Sequence, residues 1–149
     1  MNVHAFVLLA HVLGATVWTG GHLVLALGVL PGALRARDPA PVEAFEARYE
    51  RVGLPALAVQ IATGLWMAAR VVPPSRWFDP ATPGAPYILA KLALLAATVA
   101  LAAHARLRIV PTLRAETLGA LAAHVAAITA VGVLFVAAGV GLRTGGFFG

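Results

Sequence analysis

Four long apolar runs limit what this chain can fold into. They cover about residues 3–30, 52–72, 87–107 and 118–142, and each is long enough to cross the roughly 30 Å hydrocarbon core of a bilayer as an α-helix. Hydrophobic residues make up 60% of the chain and charged residues only 11%, a balance that a soluble domain could not bury. We therefore predict an all-α integral membrane protein with one transmembrane domain, a four-helix up-down-up-down bundle.

Prolines mark the predicted helix ends. The first apolar run ends at Pro31-Gly32, where we expect the first helix to stop. This run lacks the basic start and Ala-x-Ala site of a signal peptide, so it is predicted to be retained. Pro39 and Pro41 stand where a helix can start, and the second helix is predicted to begin in solvent there. The acids Glu43, Glu46 and Glu50 recur at helical spacing in this segment and are interpreted as a solvated face.

The arginines indicate an orientation. Seven lie in the first and third connections and three on the opposite side: Arg35, Arg37, Arg48, Arg51, Arg106, Arg108 and Arg114 against Arg70, Arg76 and Arg143. By the positive-inside rule both termini are predicted to be outside, in the periplasm of a cell with a bacterial-type inner membrane. The arginines lie between the apolar runs, so we interpret them as determinants of membrane orientation. We therefore expect the lipid bilayer as a partner and no nucleic acid.

Glycines in the first run favour close helix packing. Gly14, Gly21 and Gly28 recur every seven residues, and small residues at such spacing let a second helix approach closely. The sequence is compatible with a monomer and with a homo-oligomer.

Three histidines share one stripe of the first helix. At about 100° per residue, His4, His11, Trp18 and His22 fall within roughly 40° of one another. A single histidine could sit at the membrane interface or bond a backbone carbonyl. Three on one line favour a ligand, ion or proton path, since ionisable residues at bilayer depth usually face a bundle interior.

The predicted depths of the polar residues in the bilayer place them in two layers. At about 1.5 Å per residue, His22, His104 and His124 are level on the cytoplasmic side. His11 and Lys91 are predicted at one depth on the outer side, near Met67 and with His4 further out. Lys91 and His104 lie about 140° apart on one helix, so one of them is expected at a helix–helix seam.

Two layers of imidazoles in a bundle suit haem b, whose iron takes axial histidines from facing helices. The third inner histidine could bond a propionate or complete a copper site. With no cysteine, a metal must be held by other side chains. The candidate cofactor ligands and neighbours are His22, His104, His124, His11, Trp18 and Met67, and the candidate metal ligands are His22, His104, His124, His11 and His4.

Short motifs resemble a known superfamily. They are His11-x6-Trp18-x-Gly20-Gly21, the later Gly64-Leu65, and Tyr87-Ile-Leu-Ala-Lys91-Leu92. The chain is similar in them to CopD-type copper-resistance membrane proteins and to HemJ-type protoporphyrinogen oxidases. The resemblance implies catalytic roles for His11 and Lys91, which match the histidine and lysine on which HemJ-type enzymes depend, a family associated with haem b.

Two departures from the HemJ pattern weigh against porphyrinogen oxidation. The aromatic, basic run after the tryptophan and the Asn-Glu-x-Pro element before the last helix are replaced here by His22-Leu-Val-Leu-Ala-Leu and Ile109-Val-Pro-Thr-Leu-Arg-Ala-Glu. CopD-type proteins are associated with moving copper across the inner membrane. The resemblance thus implies that His4, His11 and His22, spaced along the first helix, are exchangeable ligands for copper.

The leading hypothesis is a haem b-binding membrane protein that transfers electrons, with a quinone or porphyrinogen as its redox partner. The alternative is a copper-import or copper-resistance membrane protein that binds copper through membrane histidines. A third reading is a structural subunit whose histidines only tie helices together.

Overall fold

The structure, a computed structural model, describes residues 2–144, and helices account for most of them. In chain order the helices are α1 (Val3–Val24), α2 (Leu30–Ala36), α3 (Ala40–Val71), α4 (Ala85–His104) and α5 (Leu118–Thr144). Four continuous stretches are long and apolar enough to cross a membrane: Val3–Ala36, Ala40–Val71, Ala85–Thr112 and Leu118–Gly141. The predicted all-α membrane fold is confirmed. The predicted location of the chain ends concerns Met1 and residues 145–149, outside the described part.

The first spanning helix continues beyond Pro31-Gly32, contrary to the prediction. Proline lacks an N–H group, and its ring clashes with the preceding helical turn. A π-helical turn, Leu25–Val29, widens the helix just before Pro31, and α2 then runs on to Ala36. A second π-helical turn, Ala105–Ile109, precedes Pro111 in the same way. In both places the wider turn accommodates the ring, so the helix passes through a residue that normally ends it.

Polar side chains fix the two connections that flank α3. The helix begins at Ala40 with Pro41 in its first turn, as predicted, and the Asp38 carboxylate accepts a hydrogen bond from the Ala40 backbone N–H at 3.0 Å. Beyond α3, the Trp77 indole N–H donates to the Val72 carbonyl at 2.8 Å. The proline-rich connection to α4 is therefore tied to the end of the helix that precedes it.

Helix α1 is central to the packing. It lies against α3 and α5, while α4 packs on α5 and touches α3 little. A Cβ atom added at Gly14 would come within 2.9 Å of the Ala56 carbonyl oxygen, so glycine permits the close approach of α1 and α3. The main core is at the arginine-rich end of the bundle and comprises Leu25, Leu30, Ala33, Val42, Leu118, Leu121 and Val125.

Candidate metal site

The predicted histidine stripe of α1 faces α3 along its whole length. The His4 ring lies 6.1 Å from the Trp66 ring, centroid to centroid. His11 bonds to α3 in the middle of the span, and His22 packs against Tyr49 near its other end. Because His11 and His22 are eleven residues apart, about 16 Å separates them along the helix. One stripe therefore supplies separate sites rather than one.

The outer layer centres on His11, which is half-buried. Its Nδ1 lies 3.1 Å from the Gln60 carbonyl oxygen and 2.9 Å from the Thr63 hydroxyl. Since a carbonyl only accepts, Nδ1 carries a proton, and Nε2 of the neutral ring holds the lone pair. A Cβ at Gly64 would approach the ring to 3.2 Å. Lys91 is near enough for its charge to act on the imidazole, in keeping with the predicted common depth.

The sequence also predicts Met67 and His4 in the outer layer. Met67 is half-buried on α3, one helical turn beyond Thr63. His4 is exposed at the end of the helix, where its Trp66 neighbour also carries the Arg70 guanidinium 4.8 Å above its ring. His4 is thus an interfacial residue, separate from the His11 contacts.

The inner layer centres on His22, which is buried. Its Nδ1 donates to the Trp18 carbonyl at 2.8 Å, and the Tyr49 hydroxyl donates to the same oxygen at 2.9 Å. The Trp18 and His22 ring centroids are 4.5 Å apart. A Cβ at Gly21 would overlap the Tyr49 ring, so this glycine makes room for it. The imidazole is held in one orientation with Nε2 as its lone-pair nitrogen.

A cavity of about 90 Å³ lies beside His22, where all four spanning helices meet. His124 lines it from α5, and its polar lining is completed by Glu46, Tyr49, Glu50 and Arg106. Arg106 pairs with Glu50 at 2.6 Å. Two carboxylates against one guanidinium leave an excess of negative formal charge.

The prediction of a solvated acidic face is wrong for Glu46, which lines the cavity, whereas Glu43 is exposed and the Glu50 side chain is 30% exposed. Sequence reasoning also missed Tyr49 and Arg106 as members of the site. Tyr49 and Glu50 follow Glu46 by three and four residues, so both lie on the same side of the helix as Glu46. A tyrosine between two glutamates on the same side of the helix is the sequence feature that could have identified Tyr49 as a member of the site.

His104 and His124 form the closest pair of imidazoles. Their ring centroids are 5.1 Å apart with planes inclined by 37°. His124 Nε2 donates to the Leu101 carbonyl at 2.7 Å, which leaves Nδ1 as its lone-pair nitrogen. His104 is exposed at the seam of α4 and α5, the position predicted for either Lys91 or His104.

The three inner histidines adjoin one another without forming a closed site. His104 contacts His124, and His124 lines the same cavity as His22. Within residues 2–144, no three His, Asp or Glu side chains are grouped closely enough to hold one metal ion. The arrangement therefore offers a pair of imidazoles with a third across a cavity.

Haem b does not fit this arrangement. Sites for drug-sized ligands and cofactors enclose about 300–1,000 Å³, whereas the space between His22 and His124 is about 90 Å³. A larger groove of about 710 Å³ is lined by residues of the π-helical turn Leu25–Val29, of α2 and of α3, without a histidine. Neither space combines the volume of a porphyrin with two axial imidazoles.

The fold is that of a multi-pass helical membrane protein, with His22 and His124 beside one cavity and His104 in contact with His124. The sequence profile of the family described as copper resistance protein D, CopD, matches residues 43–142. The chain belongs to the CopD family, so the resemblance to CopD-type proteins is confirmed. No curated protein and no solved structure matches it with significance. The matched residues include Lys91, His104 and His124, and they begin after α1.

Proposed function

We propose that this protein is a copper-handling protein of a bacterial-type inner membrane. Copper is its cargo, bound first by the exposed His104 and the half-buried His124 and then by the buried His22. Membership of the copper resistance protein D family supports the choice of metal. The observation that carries the proposal is the 5.1 Å separation of the His104 and His124 rings, because imidazole nitrogens suit copper.

Hydrogen bonds hold the His124 and His22 rings in a tautomer and an orientation that suit a metal ligand. A metal-binding histidine usually donates its other ring N–H to a carbonyl or carboxylate, which fixes the tautomer and the ring orientation. His124 does so to the Leu101 carbonyl and His22 to the Trp18 carbonyl. Each ring thereby keeps one nitrogen lone pair for a cation. The order from exposed to buried gives a copper ion a stepwise path inward from the surface of the bundle.

Charge favours the inner layer over the outer one. Glu46 and Glu50 face the cavity beside His22 and His124, and their negative charge attracts a cation there. The charge of Lys91 acts on His11 instead, and a cation there repels a metal ion. His11 and Lys91 better suit proton exchange with a substrate, the catalytic role implied by the likeness to HemJ-type enzymes.

Haem b with a redox role toward a quinone or porphyrinogen is the alternative. The observation in its favour is that His22 and His124 line one cavity from two different helices. Porphyrin binding there requires the helices to move apart, since the cavity is about 90 Å³. A Soret band in the purified protein would favour this alternative over copper.

Copper affinity of point variants tests the proposal. Cu(I) is titrated into detergent-purified protein under reducing conditions, in competition with a chromogenic chelator. His104→Ala and His124→Ala are expected to weaken Cu(I) binding by about 100-fold or more, since even loss of an outer hydrogen-bond partner of a metal ligand costs about 10–100-fold.

His4→Ala and His11→Ala are the matched controls. The His4 ring lies beside Trp66 of α3, and His11 lies about 16 Å from His22 along α1. Both variants are expected to bind Cu(I) like the parent protein. The proposal is wrong if the His104 and His124 variants keep the parent affinity, or if the two controls lose as much.

A further inference from the structure

An open groove runs along the outside of the bundle at its arginine-rich end. It lies between α3 and the stretch that joins α1 to α2, and its volume is about 710 Å³. Apolar and small residues provide most of the lining, including Gly28, Gly32, Ala33, Ala44 and Phe45. Arg48 is the only charged residue in the lining. The groove is thus an apolar channel with one cation.

Two glycines keep this groove open without serving the packing of the described chain. A Cβ added at Gly28 would meet only Val24 Cγ1, at 3.9 Å, and one at Gly32 would meet nothing within 4 Å. Gly14 and Gly21 differ, because a Cβ there would press on α3. The four-residue spacing of Gly28 and Gly32 is typical of a surface that another molecule approaches closely.

The charge of Arg48 indicates which kind of molecule binds in the groove. Among the described side chains of residues 2–141, Arg106 is the arginine that pairs with a carboxylate, so the Arg48 guanidinium lies in the groove without an acidic partner. A second copy of the chain docked here by two-fold symmetry would bring two unpaired guanidinium groups into one low-dielectric interface, which is costly. A phosphate removes that cost, because arginine binds phosphate through strong, charge-assisted hydrogen bonds.

We propose that this groove binds an anionic phospholipid. An acyl chain lies over Gly28 and Gly32, and the phosphate of the headgroup bonds to Arg48. Basic pockets between membrane helices are known to hold such headgroups.

Lipid titration followed by native mass spectrometry tests this proposal on the full-length protein in detergent. Phosphatidylglycerol is expected to bind at least about fivefold more tightly than phosphatidylcholine, since one arginine near a membrane surface contributes about 1 kcal/mol toward anionic lipid. Arg48→Gln should remove that preference. Gly32→Leu should remove binding of both lipids, because its side chain occupies the acyl-chain position.

Two variants serve as matched controls. Arg51→Gln removes an exposed arginine that does not line the groove, and Gly119→Leu alters another glycine whose added Cβ meets nothing within 4 Å. Both should keep the parent preference. Equal affinity for the two lipids, or an Arg48→Gln variant that still prefers phosphatidylglycerol, would overturn the proposal. A dimer in the parent protein that is lost in Gly32→Leu would assign the groove to a second copy and overturn it as well.

Discussion

Individual histidines in this protein share similar hydrogen bonding but have different neighbours. His11, His22 and His124 each place one ring nitrogen on a backbone carbonyl. What distinguishes them is the charge nearby, a lysine for His11 and carboxylates for the other two. The chemistry of each ring therefore depends on contacts made by neighbouring helices rather than on its own local sequence.

Adjacent glycines in α1 provide a residue-scale prediction. Gly21→Ala should lower the free energy of unfolding by about 1–3 kcal/mol, because its Cβ would overlap the Tyr49 ring and overpack the seam of α1 and α3. Gly20→Ala is the control, since a Cβ at Gly20 meets nothing within 4 Å. It should leave stability unchanged or raise it by up to about 1 kcal/mol through helix propensity.

Thermal unfolding in detergent, followed by circular dichroism, compares the two glycine variants. Gly21→Ala is expected to melt below the parent protein and Gly20→Ala at or above it. Equal melting temperatures for the pair would show that the Tyr49 ring yields to the added methyl group.

At the scale of whole elements, the π-helical turns extend two spans beyond their prolines. Leu25–Val29 and Ala105–Ile109 each end two residues before a proline. The second turn also carries Arg106, which reaches across to Glu50 on α3. Although α3 and α4 touch little along their length, this ion pair joins them beside the cavity.

The Glu50–Arg106 ion pair provides a prediction at this scale. Its side chains are 30% and 55% exposed, so solvent screens the attraction, and we expect a coupling free energy of about 0.2–1 kcal/mol. A double-mutant cycle of Glu50→Ala and Arg106→Ala, measured by unfolding in detergent, gives this value. The same cycle with Arg108→Ala should give no coupling. A coupling as large for Arg108 as for Arg106 would contradict a specific pair.

The molecule as a whole is arranged around α1, which packs on α3 and α5. Helix α4 reaches the rest of the bundle mainly through α5, so the histidine pair of α4 and α5 lies at one edge. The cavity that continues from this pair toward His22 is bounded by all four spanning helices. A cation moving along the three histidines would therefore pass from the edge of the bundle to its centre.

The orientation of the whole molecule remains a prediction from its arginines. Reporter fusions at Gly149 should be active outside the cytoplasm and fusions near Pro41 inside it, because seven of the ten arginines lie on the side of the first and third connections. Activity of alkaline phosphatase and of green fluorescent protein at the two positions measures this. The reverse pattern would move the His22, His104 and His124 layer to the outer leaflet.

The sequence by itself predicted the membrane class, the four spans and the histidine stripe. These follow from composition and from helical periodicity, which are properties of neighbouring residues in the chain. The motifs Tyr87-Ile-Leu-Ala-Lys91-Leu92 and Gly64-Leu65 also indicated the CopD family, which the match to residues 43–142 confirmed.

Only the tertiary structure decided how those residues combine. Helix rotation and packing determine that His104 meets His124, that Glu46 and Glu50 face a cavity, and that the space beside His22 is small. The prolines at 31 and 111 interrupt the sequence pattern, yet π-helical turns carry the helices past them. Such contacts join residues that are far apart in the chain, and their distances depend on the shapes of several helices at once, which periodicity along one helix does not encode.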